Sequence, residues 1–555
     1  MSCLNRAGRK IVLPNCQTHG KLWLIMRNRF QTFLIVSILL TAWQATALEP
    51  ASHFSDHMVL QRGASVPVWG VAEPGAKVSV SFAGQTVTGK ADNAGKWRVA
   101  LKAMSASAEN LVMTIESGGK KMAIKNVLVG DVWVGSGQSN MAGRVASYMK
   151  NDPTLAKLVD AAPYPSMRLL QGGPKPTWST ADKASVTKFS AILFAFGERL
   201  HRDLDVPVGL IMGAVGGTPS GYWIPSEKYN SSERGKAEVA AFAKNWDRDR
   251  AKQQHEAKVA AWEKRAAAAK AAGKKARGRK PNALGEPGTS TRGGKIGGLF
   301  DRYIRSSAGY AIRGVLWDQG ESGTGILGLG QHTCMSELIA GWRELWGQGE
   351  FPFLFVQKPS GLGNAWSTDD PITREANEFK PLPDIKRAGS GQGRYLYTRL
   401  MLDNSNAWMV PACDLGPNVH PSNKWGYGNR AAEVALQKVY AKKGVQAYGP
   451  IYKSHSIEGA RVRVQFAEAQ SGLTTRHGDK LQGFAVAGAD GVWHWAEAKI
   501  DSKSTVVVSS DGVKAPEHVR FAWSQNRQWA NLFNKSGLPA LAFTTEKVVF
   551  GGALK

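Results

Sequence analysis

The sequence predicts an α/β domain built on a mainly parallel sheet and flanked by two β-sandwich domains. Three observations carry this. Apolar strand-like runs (VLVGDVWVG, VPVGLIMGAV, IRGVLWDQG, FPFLFVQ) alternate with helix-like stretches between residues 126 and 445, which is the rhythm of a parallel sheet covered by helices. Short alternating segments broken by turn residues fill 48–125 and return over 446–555, as in antiparallel sheets packed face to face. A length of 555 residues, with 43% hydrophobic and 21% charged residues, suffices for several domains and excludes a disordered chain.

Residues 1–47 read as an export leader. Arg27, Asn28 and Arg29 precede the apolar run from Phe33 to Leu40, and Ala45-Thr46-Ala47 supplies a small-x-small cleavage site. Met26 is therefore the expected start, and the protein is expected to be secreted or periplasmic. The apolar run is shorter than the roughly 20 residues that a bilayer span needs, so no stable membrane span is expected.

In 48–125, Val78, Val80 and Phe82 alternate with Lys77, Ser79 and Ser81, while Pro74-Gly75 and Asn93-Ala94-Gly95 mark turns. The α/β domain over 126–445 contains helical stretches such as SAILFAFGERLHRDL and HTCMSELIAGWRELWG. It is interrupted at about 228–298 by an Ala/Lys/Glu/Gln-rich segment that predicts a protruding polar helix, followed by a Gly/Pro/basic loop. Over 446–555 the runs ARVRVQFA, KLQGFAVAG, STVVVSS and HVRFAWS predict the second sandwich.

The formal charge is +27, and 231–300 alone carries 17 Lys+Arg against 7 Asp+Glu. No RNA-binding or zinc-finger signature accompanies the charge, so it reads as a solvated basic face and no specific nucleic acid is expected as a partner. There is no CxxC, no HExxH and no His/Asp cluster at ligand spacing, so neither a metal nor a cofactor is expected. Beyond the leader only Cys334 and Cys413 remain, and a disulfide between them and two buried thiols are both open readings. Nothing in the sequence sets an oligomeric state.

Active sites of parallel α/β sheets lie at the carboxyl ends of the strands. Val127, Val129, Val132 and Val134 run into Gly135, Gly137 and Ser139 before the helix-compatible MAGRVASYM. A serine at such a turn holds its hydroxyl out at the sheet edge and brings its own N–H to the site, geometry that suits acyl transfer. Met141 stands where the second glycine of a GxSxG elbow would be, so this is another motif.

The words around it resemble a known family. GSGQSNMAG is similar to the nucleophile block of the SGNH/GDSL hydrolases, specifically the sialate O-acetylesterase family. FSDHMVLQRG…VPVWGVAEPGAKVSVSF near the start and GLPALAFTTE near the end resemble the same family, so the likeness spans nearly the whole mature chain. It implies an SGNH (flavodoxin-like) three-layer α/β/α domain, with Ser139 as nucleophile. In VGLIMGAVGGTPSGYW it makes Gly216 or Gly217 a backbone donor of an oxyanion hole. In GVLWDQGESG it makes the Gln319 amide a third donor, with Asp318 replacing the family's usual aromatic residue. In HPSNK it makes His420 the base.

The acid is the departure. Many enzymes of this type carry aspartate three residues before the histidine, where this chain has Pro417. Asp414, Asp318, Glu321 and a backbone carbonyl are the candidates for orienting the imidazole, Asp414 being the one chosen, and a Ser-His dyad stays open. The resemblance implies a serine esterase removing O-acetyl groups from glycans, acetylated sialic acid first among them. Acetylated xylan or another polysaccharide is the alternative substrate, and a glycan-binding protein with a decayed site is the alternative of another class.

Overall fold

The computed structural model describes residues 48–551; the expected leader, 1–47, lies outside the described residues. The centre is a mixed α/β unit. Its sheet comprises β1 (Lys120–Gly137), β2 (Tyr164–Gln171), β3 (Trp178–Ala181), β4 (Val208–Ala214), β5 (Gly314–Asp318), β6 (Phe353–Val356) and β7 (Ala407–Val410). Their order across the sheet is β3-β2-β4-β1-β5-β6-β7, all pairs parallel except β3 with β2. After β1 the chain builds outward on one side and then crosses to the other with β5, so the strand order reverses around β1. That reversal opens a crevice at the carboxyl ends, where doubly wound sheets place their ligands.

β4, β5, β6 and the second half of β1 are almost wholly buried. Strands covered by helices on both faces carry apolar residues without alternation, which is why these runs read as continuous. The helices include α1 (Ser139–Ala142), α2 (Ala191–Leu204), α3 (Arg248–Ala271), α4 (Gln331–Trp346), α5 (Gln392–Asp403) and α6 (Lys424–Lys438). Ser190 caps α2 by accepting the Leu193 N–H at 3.2 Å, and Asn423 caps α6 by accepting the Gly426 N–H at 2.8 Å. Each cap satisfies a donor that the first turn leaves free, and so fixes where the helix begins. Among the described residues no helix is long and apolar enough to cross a membrane.

The division expected between 125 and 126 falls inside β1. Its first half pairs antiparallel with the N-terminal strand Ser107–Ser117, and its second half is the middle of the parallel sheet. The sequence change at that point is real, but it marks a change of neighbours along one strand. C-terminally, two four-stranded antiparallel sheets and a two-stranded one enclose a separate core that includes Val464, Phe484, Val506, Phe521 and Phe543. Arg394 of α5 is buried between this unit and the centre, donating to the carbonyls of Pro359, Gly361 and Gln525.

Within the insertion, α3 has no buried residue. It lacks an apolar stripe and extends into solvent, held by helix propensity and by Asp247, whose carboxylate accepts the Arg250 N–H at 2.9 Å. The loop that follows α3 does not stay remote: Arg292 Nη1 reaches the Gly217 carbonyl at 3.4 Å. Cys334 and Cys413 are both buried free thiols.

Candidate active site

The three central strands end level, since Gly137 is in register with both Ala214 and Asp318. Ser139, Gly216 and Gln319 therefore leave the sheet side by side. Gly137 has φ +131°, and a Cβ there would lie 2.1 Å from the Asp318 carbonyl oxygen. Only glycine allows this approach, which lets the Gln138 N–H bond the same carbonyl at 2.8 Å and turns the chain abruptly into α1.

Ser139 Oγ lies 2.8 Å from His420 Nε2, although the two are 281 residues apart. His420 is exposed and Ser139 half-buried. A Cβ on Gly216 would sit 3.6 Å from Ser139 Cα, so this turn lies directly against the serine. The N–H groups of Ser139, Gly216 and Gly217 donate to no described residue. A hydroxyl bonded to an imidazole, with unclaimed amide donors beside it, has the parts needed to attack a carbonyl and hold the resulting oxyanion.

Gln319 does not join that set of donors. It is fully buried, and its Nε2 donates to the carbonyls of Thr218 (3.1 Å) and Gly323 (3.2 Å). Reversing the amide would set its oxygen against two carbonyl oxygens, so the orientation is forced. Gln319 clamps the Gly217-Thr218 turn to the loop after β5 instead of offering a proton to the site.

Asp414 is also engaged away from the imidazole. Its two oxygens accept from Arg430 Nη1 (3.0 Å) and Nη2 (3.1 Å), with both side chains buried, so it fastens the loop after β7 to α6. Burial alone would pull the Arg430 guanidinium down, but Asp414 and then Glu433 reverse this and raise it. Nor do the other candidates reach the imidazole. Asp318 accepts from Lys358 Nζ at 2.6 Å, and Glu321 lies 3.0 Å from the same ammonium while also bonding the Gln138 amide. Burial works against the Lys358 charge, yet Asp318, Tyr427 and Glu321 outweigh it and hold the ammonium well above the usual lysine value. The aspartate that replaces an aromatic residue thus comes with a buried cation. Among the described residues nothing bonds His420 Nδ1; its backbone N–H donates to Asn418 Oδ1 at 2.8 Å.

Other groups that shape the site were not singled out in the sequence. Glu375 accepts from the Ser422 and Asn423 N–H groups and from the Ser422 hydroxyl, so it grips the turn after His420. It comes from a loop with no motif, and no sequence signal pointed to it. Asn140 and Lys424 lie inside GQSNMAG and HPSNK, so the motifs contained them although only Ser139 and His420 were given roles. Arg292, exposed and in no ion pair with any described residue, stands at the rim of the site.

A hydroxyl-imidazole pair with unclaimed amide donors beside it, set in the crevice of a parallel sheet, is the equipment of an ester hydrolase. Residues 129–256 match the family described as carbohydrate esterase, sialic acid-specific acetylesterase. The chain is 27% identical to the rat sialate O-acetylesterase over 547 residues, covering 89% of this chain and 93% of the relative. It is 24% identical to the human sialate O-acetylesterase, covering 90% and 93%. Among solved structures it is similar to a carbohydrate acetylesterase from Xanthomonas citri, with a TM-score of 0.67, 26% identity, and coverage of 90% of this chain and 100% of that one. Residues 129–256 thus match a carbohydrate-esterase family, the chain is similar to sialate O-acetylesterases along nearly its whole length, and the protein is a carboxylic-ester hydrolase.

Proposed function

We propose that the protein hydrolyses O-acetyl esters on acidic sugars, acetylated sialic acid foremost, through a Ser139-His420 dyad. The observation that carries this is the 2.8 Å contact between Ser139 Oγ and His420 Nε2 beside the free N–H groups of Ser139, Gly216 and Gly217. Ser139 Oγ attacks the acetyl carbonyl and passes its proton to Nε2. The three N–H groups hold the tetrahedral oxyanion. As the C–O bond to the sugar breaks, His420 gives the proton to the departing alkoxide, leaving an acetyl-serine. Water, deprotonated by the same nitrogen, then releases acetate and restores the hydroxyl. With every nearby carboxylate committed elsewhere, the loop holding His420 orients the imidazole.

Arg292 favours an acidic sugar over neutral xylan. Its guanidinium sits at the Gly217 turn without a carboxylate partner among the described residues, and a planar fork of donors is suited to a carboxylate. The test is a panel of acetylated sialic acids, acetylated xylo-oligosaccharides and a small neutral acetyl ester. Arg292→Gln is expected to raise KM for the sialic acids by roughly 10-fold, the loss of one charge-assisted contact, and to leave the neutral ester unchanged. Equal effects on both substrates, or faster turnover of xylan by the unaltered protein, would remove the acidic-sugar assignment.

The same reading takes the centre as an SGNH-type α/β/α domain and the antiparallel units at either end as β-sandwiches, with export directed by residues 1–47. Its support is the reversal of strand order around β1, the separate C-terminal core and the composition of the leader.

A further inference from the structure

The two motifs that supply Ser139 and His420 also supply a bond between them. Asn140, the residue after Ser139, is buried; its Nδ2 donates to the Val419 carbonyl at 3.0 Å and its Oδ1 accepts from Lys424 Nζ at 2.6 Å. Val419 directly precedes His420, and Lys424 opens α6 just beyond it. One amide therefore grips the chain on both sides of the histidine and joins it to the neighbour of the serine.

Lys424 is fully buried, and among the described residues no carboxylate is in ion-pair contact with it. Its ammonium lies 4.6 Å from the ring centre of Tyr148 and 5.5 Å from that of Tyr427. A cation in such a place can be stabilised by ring faces and by a neutral acceptor, but not neutralised. A buried methionine would fill the space at lower electrostatic cost, so fold stability does not explain a lysine there. The one hydrogen bond its ammonium makes among the described residues, to Asn140, does.

We propose that Lys424, acting through Asn140, is a positioning residue that sets the Ser139-His420 geometry and makes it responsive to pH; this rests on the reading of those two residues as the catalytic pair. The amide's polarity explains the arrangement. With Oδ1 taken by an ammonium, the amide can present only N–H to the Val419 carbonyl, which fixes both its rotamer and the height of the His420 loop.

The groups facing Lys424 from the surrounding elements are Asp318 and Glu321 at and after the end of β5, Lys358 after β6, Glu375 from the loop before α5, Tyr148 after α1, and Tyr427 on its own helix. Burial is the main influence and brings the ammonium down to about 7; Lys358 adds to the lowering, and Asp318, Glu375 and Glu321 oppose it. As pH rises through this value the amine loses its proton, and the charge-assisted bond to Asn140 becomes a neutral one of roughly half the strength. The hold on Val419 loosens, so kcat falls on the alkaline side.

The experiment measures kcat and KM on a small neutral acetyl ester from about pH 5 to 9, with melting curves to normalise for folded protein. It uses the unaltered full chain, Lys424→Met, Asn140→Ala, the double variant and Ser139→Ala. Lys424→Met is expected to lower kcat about 100-fold, as a displacement of the reacting groups by about 1 Å does, with KM little changed and the alkaline inflection near pH 7 gone. Asn140→Ala is expected to do the same, and the double variant no more than either, since all three break one path. Wild-type kcat in folded Lys424→Met, or a profile of unchanged shape at lower amplitude, overturns the proposal. Should Lys424→Met not fold, Asn140→Ala decides alone, and an alkaline inflection that survives in it overturns the proposal equally. Failure of the underlying reading shows separately, as full activity in Ser139→Ala.

Discussion

Ser139→Ala is expected to lower kcat for acetate release by about 10⁶-fold, the scale on which removing the nucleophile of a serine hydrolase acts. The melting temperature should stay within a degree or two, because the hydroxyl is half-buried and its hydrogen bond is to His420, and truncating such a group costs little stability. KM should change little, since the hydroxyl acts on the acetyl carbonyl in the chemical step. A slowly deacylating ester should label the unaltered protein at Ser139, with one acyl group per chain by mass spectrometry, and leave the variant unlabelled. Acetate release at a comparable rate from both proteins would eliminate every mechanism that starts at this serine.

Asp414→Asn separates a dyad from a triad. Were Asp414 the partner of the imidazole, neutralising it would cost about 10⁴-fold in kcat, as in triads where the aspartate fixes the tautomer. Here it faces Arg430 through two hydrogen bonds, both groups being buried. The substitution leaves a buried guanidinium with only the 3.4 Å contact to Glu433, and breaking a buried pair from one side costs about 3–5 kcal/mol. The expected outcome is a clear drop in chemical and thermal stability, with kcat per folded molecule reduced by less than about 10-fold. Denaturant unfolding, combined with titration of active serines, measures the two effects apart. A 10⁴-fold loss in fully folded protein would restore Asp414 to the imidazole and end the dyad assignment.

The sequence showed the parallel sheet because buried strands and their helices leave different periods, and it showed the places of Ser139 and His420 because each sits in a motif at a strand end. Gly216 and Gly217 stand out for the same reason, as a glycine pair separated by one residue from the end of β4. What could not be read was how side chains divide among competing partners. Gln319 and Asp414 have the chemistry for the roles they were expected to fill, and both spend it on neighbours: two carbonyls for one, Arg430 for the other. Those neighbours come from loops and a helix face whose approach depends on tertiary packing. Asp318 illustrates the same limit. Its departure from the family pattern was visible, whereas its compensation by Lys358, 40 residues away, was not.

β1 carries one more consequence. Because a single run of backbone is both the inner strand of the N-terminal unit and the axis of the parallel sheet, the N-terminal unit is not a detachable accessory. A protease cut or a truncation near residue 125 would sever the spine of the molecule, not a hinge, and strip Val127–Gly137 of the continuity that fixes their register. Because they share this strand, the crevice and the N-terminal sheet are expected to unfold in a single transition, which a melting curve followed by two probes would check.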